Sequence, residues 1–146
     1  MKWLVAMLGL VISATSMALT ITPADAVKDT TGMVDGICAV SCPRISVSSD
    51  PKATYEVLQL RKVGAHHAEL TTRRKGQSGV SYAKRLYDCK RGYFKYLGSG
   101  DTLEEMKKAK PDARMTGVED GSIASETGGY ACQQLGLLAD PLRPGR

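Results

Sequence analysis

The sequence predicts an α+β fold, a small, mostly antiparallel sheet with one or two packed helices, disulfide-stapled. Residues 80–88 and 93–97 alternate apolar and polar side chains across a short turn, a pattern typical of a β-hairpin. Residues 102–110 begin and end with the signals of a capped helix. The chain also has four cysteines, an even number, as expected of a small domain that is cross-linked.

The N-terminal residues predict export. Lys2 precedes an almost unbroken apolar run over residues 3–14, and Ala24-Asp25-Ala26 fits the small-x-small pattern of a signal-peptidase site. The apolar run is shorter than the roughly 20 residues that span a membrane. We therefore expect a signal peptide at 1–26 and no transmembrane span after its cleavage. The expected location is the periplasm or the cell surface of a bacterium.

The rest of the chain has the length of one domain. Its only tryptophan lies in the predicted signal peptide, so the core depends on tyrosines and aliphatic residues. Exported domains often supplement such a modest core with disulfides. We predict a loop-rich, extended N-terminal arm at 27–53, an α+β domain at 54–133 and a disordered tail at 134–146.

Within that domain, residues 55–63 alternate well enough for a strand, and residues 69–74 form a weaker, more polar candidate. The hairpin of 80–88 and 93–97 follows, and a Gly-Ser-Gly sequence ends its second strand. Helix 102–110 is predicted from Thr102 and Glu105, which have capping-box spacing, and from the lysines of its last turn. A second helix is predicted from Ser122 towards Cys132, although two adjacent glycines weaken this prediction.

Charge is unevenly distributed along the chain. Residues 61–95 contain ten Lys and Arg against two acids, whereas residues 99–126 contain seven acids against four bases. A basic surface of this kind attracts anionic partners, either an anionic envelope component or a host matrix protein. The residues predicted to form that basic binding surface are Arg73, Arg74, Lys75, Lys90 and Arg91.

Nucleic acid is not an expected partner. Arg91-Gly92-Tyr93 resembles the start of an RNA-binding strand, but Phe94 occupies the position of the required small residue. The predicted export argues against RNA as well. The chain has no nucleophile elbow, phosphate-binding loop, zinc helix or calcium loop, so we expect neither an enzyme nor a cofactor.

The segment CAVSCP at 38–43 supports an alternative class of function. Cys38 and Cys42, together with His66, resemble the ligand set of exported copper chaperones, since thiolates and imidazole suit copper. The alternative is therefore a periplasmic metal (copper) or thiol-redox protein. Against it, the chain lacks the βαβ alternation of those proteins. The simpler interpretation is that both cysteines form disulfides.

Four cysteines allow three pairings, and the sequence leaves the pairing open. A bond between Cys89 and Cys132 would join strand 80–88 to the C-terminal helix. On the chain-entropy model it would stabilise the fold by about 4 kcal/mol, against about 2 kcal/mol for a bond across the short Cys38 and Cys42 loop.

Residues 80–133 resemble the surface-adhesin protein E-like family of small exported bacterial proteins. The resemblance lies in SYAKRLYDCKRGYFKYLG, with Tyr87-Asp88-Cys89, and in VEDGSIASETGGYACQ, with Gly121-Ser122 and Tyr130-Ala131-Cys132. It implies a mostly antiparallel sheet with a packed helix, a Cys89–Cys132 bond, a location at the envelope and an adhesin-like, non-catalytic function. The chain departs from the family pattern in lacking a tryptophan before Val118 and in having Cys38 and Cys42.

Overall fold

The computed structural model describes residues 33–34 and 36–137. All of them belong to one compact unit. The predicted signal peptide at 1–26 lies outside the described residues. Of the disordered tail predicted at 134–146, only residues 134–137 are described, and they are ordered: Gln134 is helical, and Leu135 and Leu137 pack against the core.

Six strands form one antiparallel sheet in which each strand pairs with its neighbours in chain order, β3-β4-β5-β6-β7-β8. A separate two-stranded hairpin, β1-β2, precedes it. With two helices, this architecture confirms the predicted α+β fold. The elements are β1 Met33–Val34, β2 Ile37–Cys38, β3 Arg44–Ile45, β4 Thr54–Val63, β5 His67–Gly76, β6 Gly79–Asp88, β7 Tyr93–Gly100, α1 Leu103–Lys108, β8 Thr116–Gly117 and α2 Ile123–Gln134.

The sheet extends beyond its predicted limits. β5 is as long as β4 and β6, although its polar sequence indicated a weaker strand at 69–74. Ala68 and Leu70 are fully buried on one face of this strand, and Glu69 and Thr71 are buried on the other. The segment 27–53, predicted as a loop-rich arm, also contributes β3, which pairs with the start of β4.

Helix α2 covers one face of the sheet, which we call the helix face. Tyr55, Leu70 and Tyr87 are each at most 1 % exposed on this face. Gly128 lets the helix approach closely, because a Cβ atom there would lie 2.6 Å from the ring of Tyr87. The hydroxyls of Tyr87 and Thr127 are hydrogen-bonded at 2.8 Å. Gly128, one of the two adjacent glycines that weakened the helix prediction, therefore serves the packing of that helix.

Two disulfides cross-link the chain, as predicted. Cys89, one residue beyond β6, is bonded to Cys132 in α2, and both are fully buried. This bond ties the sheet to its covering helix, and on the chain-entropy model it contributes about 4 kcal/mol. The second bond closes the short loop between Cys38 and Cys42.

Helix α1 packs on the opposite face of the sheet, directly over β7. Thr102 caps it by accepting a hydrogen bond from the Glu105 N–H at 3.1 Å, as the sequence predicted. The helix ends at Lys108, two residues before the predicted limit, because Ala109 is already extended. Gly98 makes the close packing feasible, since a Cβ atom there would collide with the Met106 carbonyl.

We therefore predict that Gly98→Ala displaces α1 and destabilises the protein by about 1–3 kcal/mol, the usual cost of overpacking. Gly117→Ala in β8 is the matched control, because a Cβ atom there meets nothing within 4 Å. Urea unfolding of both variants measures the difference. Equal midpoints for Gly98→Ala and the wild type would show that α1 does not need this glycine.

Candidate functional site

The five basic residues predicted from the sequence do not form one surface. Arg73, Arg74 and Lys75 lie near the end of β5, beside the turn into β6. Lys90 and Arg91 lie in the turn between β6 and β7, at the opposite end of these strands. At about 3.3 Å per residue, roughly 20 Å of sheet separates the two groups.

The first group is neutralised by acids. The Nε of Arg73 donates to Glu56 at 2.6 Å, and the Nζ of Lys75 donates to the other oxygen of that carboxylate at 3.2 Å. Glu56 is only 6 % exposed. Its burial would raise its pKa, but the hydrogen bonds from the two bases outweigh that effect and hold the pKa below its ordinary value.

Arg74 points to the opposite, helix face of the sheet. Its Nε donates to Asp50 at 2.6 Å, and the Tyr55 hydroxyl donates to the same carboxylate at 2.8 Å. The hydrogen bond from Arg74, helped by that from Tyr55, lowers the pKa of Asp50. Arg74 therefore anchors the segment before β4 rather than extending a basic surface.

A third acid, Glu69, neutralises bases in the middle of the sheet. Glu69, 6 % exposed, accepts from Arg61 at 2.7 Å and is ion-paired with Lys84 at 2.9 Å. Burial would raise the pKa of Glu69, but these two cations hold it below its ordinary value.

Arg85 is a further base that does not contribute to the surface. It is 5 % exposed, and its Nη1 donates to the Thr72 hydroxyl at 3.1 Å. Its guanidinium lies 4.9 Å from the ring centroid of Tyr96. No acid within residues 36–137 is ion-paired with it, so Arg85 is a buried cation held by a hydroxyl and an aromatic face.

The second group, at the turn, is built differently. Asp88 is 5 % exposed, and one of its carboxylate oxygens accepts hydrogen bonds from the backbone N–H groups of Lys90 and Arg91, at 3.1 and 3.0 Å. Gly92 closes the turn with a φ of 69° and donates to the Asp88 carbonyl. The Cys89 N–H donates to the His66 carbonyl at 2.9 Å. The turn is thus fixed to the neighbouring β4–β5 turn.

A cross-strand row runs beside this turn on the face that carries α1. In consecutive strands, Val63 pairs with His67, His67 with Asp88, and Asp88 with Tyr93. Val63 and Tyr93 are exposed by 38 % and 39 %. We call the surface around this row the turn-end patch, and its residues are Val63, His67, Lys90, Arg91, Tyr93 and Lys95.

The bases of the turn-end patch are largely unpaired. The Arg91 guanidinium lies 5.0 Å from the ring centroid of Tyr93, and its Nε lies 3.9 Å from the Asp88 carboxylate. Within the described part of the chain, neither Lys90 nor Lys95 has an acid within ion-pair distance. The patch therefore combines exposed aromatic and apolar surface with cations that remain available to a partner.

The residues of the alternative metal site do not come together as a ligand set. Cys38 and Cys42 are bonded to each other. His66 is exposed in the turn after β4. Across residues 36–137, no group of three or more His, Cys, Asp or Glu side chains has an arrangement that could hold a metal ion.

Comparison with known proteins finds no matching family model, no matching curated protein and no matching solved structure. The resemblance to the surface-adhesin protein E-like family therefore stays a prediction. In the described part of the chain, neither helix is long and apolar enough to cross a membrane.

The lowered pKa values predict that the protein loses stability in acid. A carboxyl group whose pKa is depressed by folding stabilises the protein above its unfolded pKa, about 4.3 for Glu. That stabilisation is lost as the pH falls below this value through the folded pKa. We expect the urea concentration at the unfolding midpoint to decrease when the pH is lowered below about 5. Glu56→Gln should lower this midpoint at pH 7 and make it depend less on pH.

The matched control for this prediction is Glu104→Gln, which removes an exposed acid paired only with Lys107 on the same helix. It should follow the wild-type curve. A Glu56→Gln variant with the wild-type pH dependence would show that the buried carboxylate does not contribute to acid unfolding.

Proposed function

We propose that the chain is an exported, non-enzymatic protein of the bacterial envelope or cell surface, adhesin-like, that binds an anionic partner through the turn-end patch. The observation that carries this proposal is a group of bases around an exposed tyrosine, on a turn held by a disulfide, in which, among the described residues, Lys90 and Lys95 have no acid within ion-pair distance and Arg91 has only a long contact with Asp88. The partner class that fits is an acidic polysaccharide, either of the envelope or of a host matrix.

The distribution of ion pairs favours the turn-end patch over the other basic parts of the sheet as the binding surface. Near the C-terminal end of β5 and in its middle, the bases are already ion-paired: Arg73 and Lys75 with Glu56, Arg74 with Asp50, and Lys84 with Glu69. A partner there would have to compete with short, partly buried ion pairs. At the turn, Asp88 is occupied mainly by backbone N–H groups, so the side chains of Lys90 and Arg91 can bind elsewhere.

The rigidity of the turn between β6 and β7 also favours the turn-end patch as the binding surface. Cys89 precedes Lys90 and is bonded to Cys132, so the turn is tied covalently to α2. The Asp88 carboxylate and the backbone of Gly92 fix the same turn. A contact surface that is already ordered loses less conformational entropy on binding.

The mixed chemistry of the patch favours a sugar polymer over a simple anion. Tyr93 offers an exposed aromatic ring, and Val63 adds apolar surface at the other end of the cross-strand row, three strands away. The bases Lys90, Arg91 and Lys95 surround the same region and would pair with carboxylate or sulfate groups. Such pairs at an exposed surface weaken with salt, because mobile ions screen them.

Export is part of the proposal. Residues 1–26 have the sequence pattern of a signal peptide. The two disulfides among residues 36–137 fit an oxidising compartment, where such bonds form and persist.

The proposal predicts salt-sensitive binding of a heparin oligosaccharide, used as a probe for acidic polysaccharides. Lys90→Gln/Arg91→Gln should weaken binding at low salt by about tenfold, since each exposed ion pair contributes up to about 1 kcal/mol. The matched control, Lys52→Gln/Arg44→Gln, removes the same charges from exposed residues near the other end of the sheet. Titration calorimetry measures both.

The control variant should bind as the wild type does. No saturable binding by the wild type at low salt would contradict the proposal. An equal loss in both variants would mean that net charge, rather than the turn-end patch, attracts the probe.

A further inference from the structure

A groove crosses the sheet on the face opposite α2, between the β1–β2 hairpin and α1. It consists of two cavities, of about 280 and 190 Å³, which share the lining residues Ile37 and Lys107. Together they reach the lower part of the range of small-molecule sites, about 300–1,000 Å³. The groove is separate from the turn-end patch and shares no residue with it.

Two cross-strand rows form the floor of the groove. In one row Gln59 pairs with Thr71 and Thr71 with Lys84, and in the next Arg73 pairs with Tyr82. Helix α1 lies directly on β7 and forms one wall. The other wall is the β1–β2 hairpin, which Gln59 holds by donating to the Gly36 carbonyl at 3.2 Å.

The lining is apolar and basic. Among the described residues that line the two cavities, none is acidic. Three lining residues are cations, Arg73, Lys84 and Lys107. The apolar lining residues, which come from all sides of the groove, are Ile37, Ala39, Leu58, Leu97, Leu103 and Met106, with Tyr82 beside them.

Of the three cations, Lys107 is the one that can exchange its partner. Arg73 and Lys84 are held by the buried carboxylates of Glu56 and Glu69. Lys107 pairs at 3.0 Å with Glu104, and both side chains of that pair are at least half exposed. Such an exposed pair on one helix contributes little, so an anion in the groove can replace Glu104.

The centre of the groove offers no free backbone to an extended peptide. Thr71 of β5 and Lys84 of β6 lie on strands that are paired on both sides, so this part of the floor has no edge to which a peptide strand could add. A buried peptide would leave its own N–H and C=O groups without partners, which is costly. An alkyl chain has no such groups to satisfy.

We propose that this groove binds a free fatty acid, with the alkyl chain against the apolar lining residues and the carboxylate at Lys107. The site is independent of the turn-end patch and of any polysaccharide bound there. The Cys38–Cys42 disulfide contributes to this site. Cys38 and Ala39 line the smaller cavity, and the bond closes the loop that contains them.

The test is titration calorimetry with dodecanoate below its micellar concentration. Saturable binding to one site is expected, with no comparable binding of dodecyltrimethylammonium, which has the same chain and the opposite charge. Lys107→Gln should weaken dodecanoate binding by about tenfold, the effect of losing one charge-assisted hydrogen bond. The matched control is Lys108→Gln, which removes the same charge from the same helix at a residue that lines neither cavity.

A second variant tests the alkyl chain. Leu103→Asp places an acid in the groove at the first turn of α1, where acids suit the helix dipole, so the fold is expected to persist. This variant should abolish dodecanoate binding and leave heparin binding unchanged. Absence of saturable binding, equal binding of the cationic surfactant, or equal affinities of Lys107→Gln and Lys108→Gln would overturn the proposal.

Discussion

The bond between Cys89 and Cys132 is the constraint on which the rest of the structure depends. It joins the end of β6 to α2 at a fully buried point. Two residues before Cys89, the ring of Tyr87 packs against Gly128 and its hydroxyl bonds Thr127. One residue after it, the basic turn begins. A core with few large apolar side chains is thereby held together, and a surface turn is held in a fixed orientation.

The two faces of the sheet use polar residues in different ways. On the helix face, Arg74, Tyr55 and Asp50 form a closed group beside the core, and Arg85 is buried against Tyr96. On the other face, Glu56 and Glu69 each neutralise two bases across neighbouring strands. These ion pairs neutralise most of the basic side chains on this face of the central strands. The bases of the turn-end patch, at the end of the sheet, are among those that remain available.

Much of the fold could be predicted from the sequence, because the deciding signals are local. Alternation indicated β4, β6 and β7, and the spacing of Thr102 and Glu105 indicated the start of α1. The length of β5 could not be predicted from its polar sequence, because its burial depends on Ala68 and Leu70 packing against distant elements. The participation of β3 likewise depends on its pairing with β4 rather than on its own two residues.

The candidate site was less predictable, because charge counted along a segment does not show which charges meet. Glu56 lies seventeen residues from Arg73 in sequence and 2.6 Å from it in the fold. Arg73 and Lys75 point to one face of β5 and Arg74 points to the other, because side chains alternate along a strand. The predicted basic surface therefore combined residues that lie on opposite faces of the sheet. Lys90 and Arg91 could be recognised as a basic turn. The exposed row of Val63, His67 and Tyr93 beside that turn depends on strand register, which only the structure gives.

Peptide mapping of the protein without reduction tests the central constraint most directly. Trypsin cleaves after Arg85, Lys90 and Arg114, so Cys89 and Cys132 fall in different peptides, whereas Cys38 and Cys42 stay together in one. We expect the peptide 86–90 to be linked by a disulfide to the peptide that begins at residue 115. We also expect an internal disulfide in the peptide that contains Cys38 and Cys42. A link between Cys89 and Cys38 or Cys42 would contradict the fold and the placement of the basic turn.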